Sequence, residues 1–142
     1  MRRALTTALV IGFAWALALL HGAAALGKAL DLRGFVAVAD AYRLVPPFLT
    51  MPGALSLTLA EAGIALGLVL PRFRRPAAIA AGALALTYGA ALIATLLRGI
   101  PLENCGCFGV FLARPLTVWS PVEDLVLAAL CFAVARLSPV PA

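Results

Sequence analysis

Four apolar runs, at 4–27, 51–70, 77–97 and 121–137, dominate the chain. Each is close to the roughly 20 residues that carry a helix across a hydrocarbon core. Backbone amides and carbonyls find no water at that depth, so each run is predicted to close its hydrogen bonds internally as a helix. With 64% apolar and 12% charged residues, the chain lacks the polar surface of a soluble domain. The sequence therefore predicts an all-α, integral membrane four-helix bundle, a single domain over 1–142. Arg2-Arg3 and Ala23-Ala24-Ala25 give the first run some features of a signal peptide. It is longer than the roughly 7–15 apolar residues of such a leader, and an uncleaved helix is expected.

The net charge of +5 does not point to nucleic acid, because the basic residues stand in ones, twos and threes at the ends of the runs. They read as topology signals. Arg2, Arg3, Arg72, Arg74, Arg75 and Arg136 gather at one end of the runs with no acid in those segments. The other end mixes Lys28, Arg33, Arg43, Arg98 and Arg114 with Asp31, Asp40, Glu103, Glu123 and Asp124. This bias predicts a multi-pass protein of the inner membrane, with both termini cytoplasmic and the two long connections outside.

Between the first two runs, Phe35, Val38, Ala39 and Tyr42 share a helical face that Asp40 and Arg43 avoid. That pattern predicts a short helix lying in the interface, ended by Pro46-Pro47. Gly63 and Gly67 form a small-xxx-small pair in the second run, and the Ala- and Gly-rich third run suits close packing. Ser120-Pro121-Val122-Glu123 reads as a capping box opening the fourth.

Polar residues within the runs define a candidate site. Measured from the outer ends at about 1.5 Å per residue, His21 lies roughly 9 Å deep, Glu61 and Tyr88 roughly 14 Å, and Cys131 roughly 16 Å. An ionised carboxylate at that depth requires a partner, and His21 is the nearest to Glu61 by depth. Lys28 falls on the side of His21, with a stem long enough to snorkel to the interface. The group is open to two readings, a polar clasp between helices or a site for a quinone head group or proton relay. Cys131 is expected to be a small apolar filler.

Asn104-Cys105-Gly106-Cys107-Phe108-Gly109 holds the remaining two thiols, in the connection between the third and fourth runs. Outside the cytoplasm, exposed free thiols do not persist without a purpose. Cys105 and Cys107 could exchange disulfides, one attacking and the other resolving, with Gly106 supplying backbone freedom. They could instead bind a soft metal such as Cu(I) together with ligands from elsewhere, or merely stiffen the loop. A helical half-turn over Phe108 to Ala113 would favour a thiolate at Cys107.

The chain resembles the methylamine utilisation protein MauE family, within the wider DoxX-like membrane proteins. The resemblance rests on Gly27-Lys28, Phe35 through Pro46, Glu61-Ala62-Gly63, Arg98-Gly99 and above all Cys105-Gly106-Cys107-Phe108-Gly109. It implies a role in disulfide formation or maturation of an exported protein, such as the small subunit of methylamine dehydrogenase, with a thioredoxin-like partner. It also implies Cys105 and Cys107 as the redox pair, with Lys28 and Glu61 as family-like positions of unassigned role. Asn104 stands where an aspartate often precedes the first cysteine. A non-catalytic assembly factor and a Cu(I) carrier remain rival readings.

Overall fold

The computed structural model describes residues 1–138, and only the backbone of residues 2–4. The side chains of the topology arginines Arg2 and Arg3, and the last four residues of the predicted 1–142 domain, lie outside the described residues. Five helices follow in order: α1 (Arg2–Leu30), α2 (Leu32–Ala41), α3 (Pro47–Val69), α4 (Arg74–Leu97) and α5 (Ser120–Leu137). There is no strand among the described residues.

α1 extends to Leu30, where Asp31 leaves helical geometry at φ −140° and caps α2 by accepting from the Gly34 amide at 2.8 Å. The short helix thus starts before Phe35, which it buries. Its end is set by Arg43, in the left-handed region at φ 51°, rather than by Pro46-Pro47. The prolines open the next helix instead. Pro46 is the N-cap of α3 and Pro47 its first residue, where a missing amide costs nothing. α5 differs from the predicted capping box, because Trp119 is already in the αR region and Ser120 is inside the helix. The Thr117 amide donates to the Ser120 hydroxyl, and Glu123 instead receives the Arg114 guanidinium at 2.8 and 2.9 Å.

Among the described residues three helices are long and apolar enough to cross a membrane: α1 over Leu5–Leu30, α3 and α4. α5 has 18 residues but carries Glu123, Asp124 and Arg136, which sets it apart from the other three. α1, α3, α4 and α5 all contribute to one core, with Ala14 and Leu17 meeting Leu68, Ala78, Ala81, Cys131 and Val134. Cys131 is fully buried there, as a small filler should be.

Small residues set the close approaches. A Cβ on Gly67 would stand 2.7 Å from that of Ala77 on α4, whereas a Cβ on Gly63 would meet open space, so only half of the predicted pair makes a close approach within this chain. Gly82 lies under the Phe132 ring of α5. Leu9, Phe13, Leu19, Leu59, Leu66 and Leu86 point outward, an apolar exterior suited to lipid. The second half of α1, α2, and the ends of α3, α4 and α5 nearest the 98–119 connection form the thiol-bearing end of the protein.

Candidate functional site

The thiol loop is built onto α1 and α2. Phe108 and Gly109 press backbone to backbone against Gly27, with no room for a Cβ on Gly27 and only 2.7 Å between the Gly27 carbonyl oxygen and a Cβ on Gly109. Gly106 and Gly109 take φ values of 73° and 71°, which glycine adopts at no steric cost. Gly106 also packs against Val38 and Phe35 of α2. The Asn104 amide group ties the turn twice: its oxygen accepts from the Gly106 amide at 2.9 Å and its nitrogen donates to the Gly109 carbonyl at 3.0 Å. A carboxylate could make only the first of these bonds, which gives asparagine a structural use here. The Tyr42 hydroxyl donates to the Cys105 carbonyl at 2.6 Å, and the Cys105 amide donates to the Arg114 carbonyl at 2.8 Å.

Cys105 and Cys107 are both half-buried free thiols, with their sulfurs 3.1 Å apart. The hydrogen bond from Cys107 holds Cys105 down to about 6, against the opposing effect of burial and with help from Arg114. Cys107, as the proton donor and through burial, is pushed well above the ordinary thiol range. The pair thus holds one favoured thiolate beside one retained proton. The expected half-turn after Cys107 is a run of turns, because Gly109 departs from helical geometry, so no helix terminus activates Cys107. The neighbouring thiol takes that role, and on Cys105. Burial also raises Tyr42 above the ordinary phenol range and keeps it a donor.

The polar residues of the helices assemble differently from the depth argument. Lys28 does not snorkel. It is 1% exposed, and its Nζ lies 2.5 and 2.6 Å from the two Glu61 oxygens, with the Tyr88 hydroxyl at 3.4 Å. Tyr88 in turn donates to Glu61 at 2.9 Å. Phe35 and Tyr88 flank the ammonium, each ring centroid 5.2 Å away. The partner of Glu61 is therefore Lys28, not His21, whose Nε2 is buried without a protein partner. The depth count missed this because α1 continues past Lys28 and α2 covers it.

Two cavities meet at Tyr88 and Cys107. One, of about 280 Å³, is mostly apolar and lined by Lys28, Phe35, Tyr42, Leu57 and both cysteines. The other, of about 250 Å³, is lined by His21, Glu61, Arg114, Glu123 and Asp124. Tyr42 and Asp124 are site residues that sequence reasoning passed over, one taken as part of an interfacial face and the other as a helix-terminal charge. Among the described residues no three His, Cys, Asp or Glu side chains converge as metal ligands.

The family described as methylamine utilisation protein MauE matches residues 6–137. The methylamine utilization protein MauE of Paracoccus denitrificans is 41% identical over 123 residues, covering 87% of this chain and 66% of that protein. Its counterpart in Methylorubrum extorquens is 37% identical over 124 residues, covering 87% of this chain and 67% of the relative. The Paracoccus versutus protein is 34% identical, covering 87% and 66%. The chain thus spans about two thirds of the length of these relatives. No solved structure matches it.

Proposed function

The chain belongs to the methylamine utilisation protein MauE family, and on that premise we propose that it is a membrane thiol-disulfide exchange factor working through Cys105 and Cys107. The observation that carries this reading is the pair itself: two free, half-exposed sulfurs 3.1 Å apart. In the disulfide-forming direction a thiolate of a visiting thioredoxin-like protein attacks the Cys105–Cys107 disulfide at Cys105 and releases the Cys107 sulfur. The visitor's second thiol then displaces Cys105, leaving the visitor oxidised and this chain as the dithiol. In the reverse direction Cys105 attacks a visitor's disulfide and Cys107 resolves the mixed disulfide. The process served is disulfide formation or maturation of an exported protein, such as the small subunit of methylamine dehydrogenase.

In this reading α1, α3, α4 and α5 cross the inner membrane as a four-helix bundle and α2 lies in the interface. The arginine-rich end, with Arg72, Arg74, Arg75 and Arg136, is cytoplasmic, and the thiols face outward. The apolar cavity supports a quinone as electron carrier. Its volume accommodates a head group beside Cys107, with Lys28 and Tyr88 in its wall. A bound quinone would supply two-electron acceptance. Of the polar residues first assigned to such a site, His21 and Glu61 do not line this cavity.

Trapping tests the reading. Cys107→Ser should accumulate a reducible mixed disulfide between Cys105 and a partner on non-reducing gels, and Cys105→Ser much less. In bilayer discs a short-chain quinone should oxidise the wild-type dithiol faster than that of Lys28→Met. Full client maturation by the double serine variant at matched expression would overturn exchange in favour of a non-catalytic assembly role. Stoichiometric Cu(I) binding lost in the double variant, with no adduct in either single one, would overturn it in favour of a carrier.

A further inference from the structure

The cavity beside Cys107 that His21 and Asp124 line holds two buried atoms without a protein partner, His21 Nε2 and Asp124 Oδ2, on residues only 5% and 9% exposed. Leaving such groups unsatisfied costs about 1–3 kcal/mol each, and native structures keep few of them. Neither takes part in the exchange steps described above. α4 makes room for the acid: a Cβ on Gly89 would lie 3.4 Å from the Asp124 Cβ, in contact with the carboxylate as well.

The other charged and titratable groups facing the cavity are engaged. Glu61 of α3 is held by Lys28 and by Tyr88 of α4, while Arg114 of the loop and Glu123 of α5 hold each other at the exposed mouth. Among the described residues lining it, His21 of α1 and Asp124 of α5 are left with an atom free to exchange a proton. A cavity of about 250 Å³ accommodates several waters, each taking about 30 Å³ in the liquid.

Cys107 must lose a proton before it can resolve a mixed disulfide, and its other cavity is mostly apolar. We propose that Asp124 accepts this proton through water in the cavity it shares with His21 and Cys107 when the Cys105–Cys107 disulfide closes, and returns it when the disulfide opens. The inference rests on the exchange reading above. In the closing direction the Cys105 thiolate has already displaced one sulfur of a visiting protein disulfide and formed the mixed bond. The Cys107 S–H then gives its proton to Asp124, and its sulfur bonds to the Cys105 sulfur. The bond from Cys105 to the visitor breaks, and its electron pair leaves on the visitor's second sulfur. The dithiol loses two electrons and the visitor's disulfide gains them. The proton leaves Asp124 for solvent or for the departing thiolate, past the mouth between Arg114 and Glu123.

The test uses the full chain in bilayer discs with oxidised glutathione as the disulfide, and mass spectrometry to follow the glutathione adduct on Cys105. Asp124→Asn should form the adduct at the wild-type rate near neutral pH but release glutathione about 100-fold more slowly, in the range of general acid–base effects. It should also flatten the pH dependence of release, a readout that a packing defect would not move. Asp124→Ser, which removes the carboxylate and leaves more room for water, should behave alike, and Asp124→Glu should recover part of the rate. Release from Asp124→Asn or Asp124→Ser at the wild-type rate, with an unchanged pH profile, would overturn the assignment of Asp124 and leave the exchange reading standing. Absence of any Cys105 adduct, in the wild type as in the variants, would overturn both.

Discussion

Lys28 and Glu61 are each 1% exposed, and their pairing shows how a charge is kept inside a greasy chain. Both carboxylate oxygens face the ammonium, Tyr88 adds a donor and two rings flank the cation. Such a pair adds little net stability over an apolar substitute, but removing one partner strands the other. It fixes one arrangement of α1, α3 and α4. The thiols show a second use of proximity. With Cys105 held down to about 6, its thiolate is fully present above that pH and is lost as the pH falls through it. Alkylation of Cys105 by iodoacetamide should follow the same curve. Cys107→Ala, which removes the donor, should move the midpoint up toward the ordinary thiol value of about 8.5. A midpoint that stays put would show that the sulfur–sulfur bond does not set reactivity. Spacing alone made Cys105 and Cys107 legible. The Lys28 pairing was not, because depth along a helix says nothing about which side another helix covers.

Helices were legible where length decided them and less so where caps did. The apolar runs placed α1, α3, α4 and α5 within a few residues, since hydrogen bonding in lipid leaves one backbone solution. The starts of α3 and α5 shifted because Pro47 and Ser120 serve inside helices whose caps are Pro46 and Trp119. No local signal announced that the thiol loop would lock onto α1. That contact depends on two glycines far apart in sequence, Gly27 and Gly109, meeting backbone to backbone. Gly27→Ala is therefore expected to displace the loop, costing about 1–3 kcal/mol as overpacking does. Its thermal unfolding in detergent should shift down with helix content unchanged, and the thiolate reactivity of Cys105 near neutral pH should fall. Unaltered stability and labelling would show that the contact is dispensable.

Charge asymmetry at the two ends predicts one orientation for the protein as a unit. A membrane-impermeant maleimide should label Cys105 in intact cells, whereas a cysteine introduced by Arg72→Cys in a background lacking Cys105 and Cys107 should be labelled only after lysis. The reverse pattern would invert the topology. The all-helical class and the apolar exterior were readable from composition. The two cavities that meet at Cys107 were not, since they exist only where five separate segments converge. The way the loop is fastened has a further consequence. With Asn104 bonded to both Gly106 and Gly109, Tyr42 to Cys105, and Gly109 wedged on Gly27, these sulfurs have no swinging arm. Reach must come from the other molecule. On the exchange reading proposed above, a protein served at this site would have to bring its own bridge down on a projecting or still unfolded stretch, and a client whose cystines are already packed away would pass unmodified.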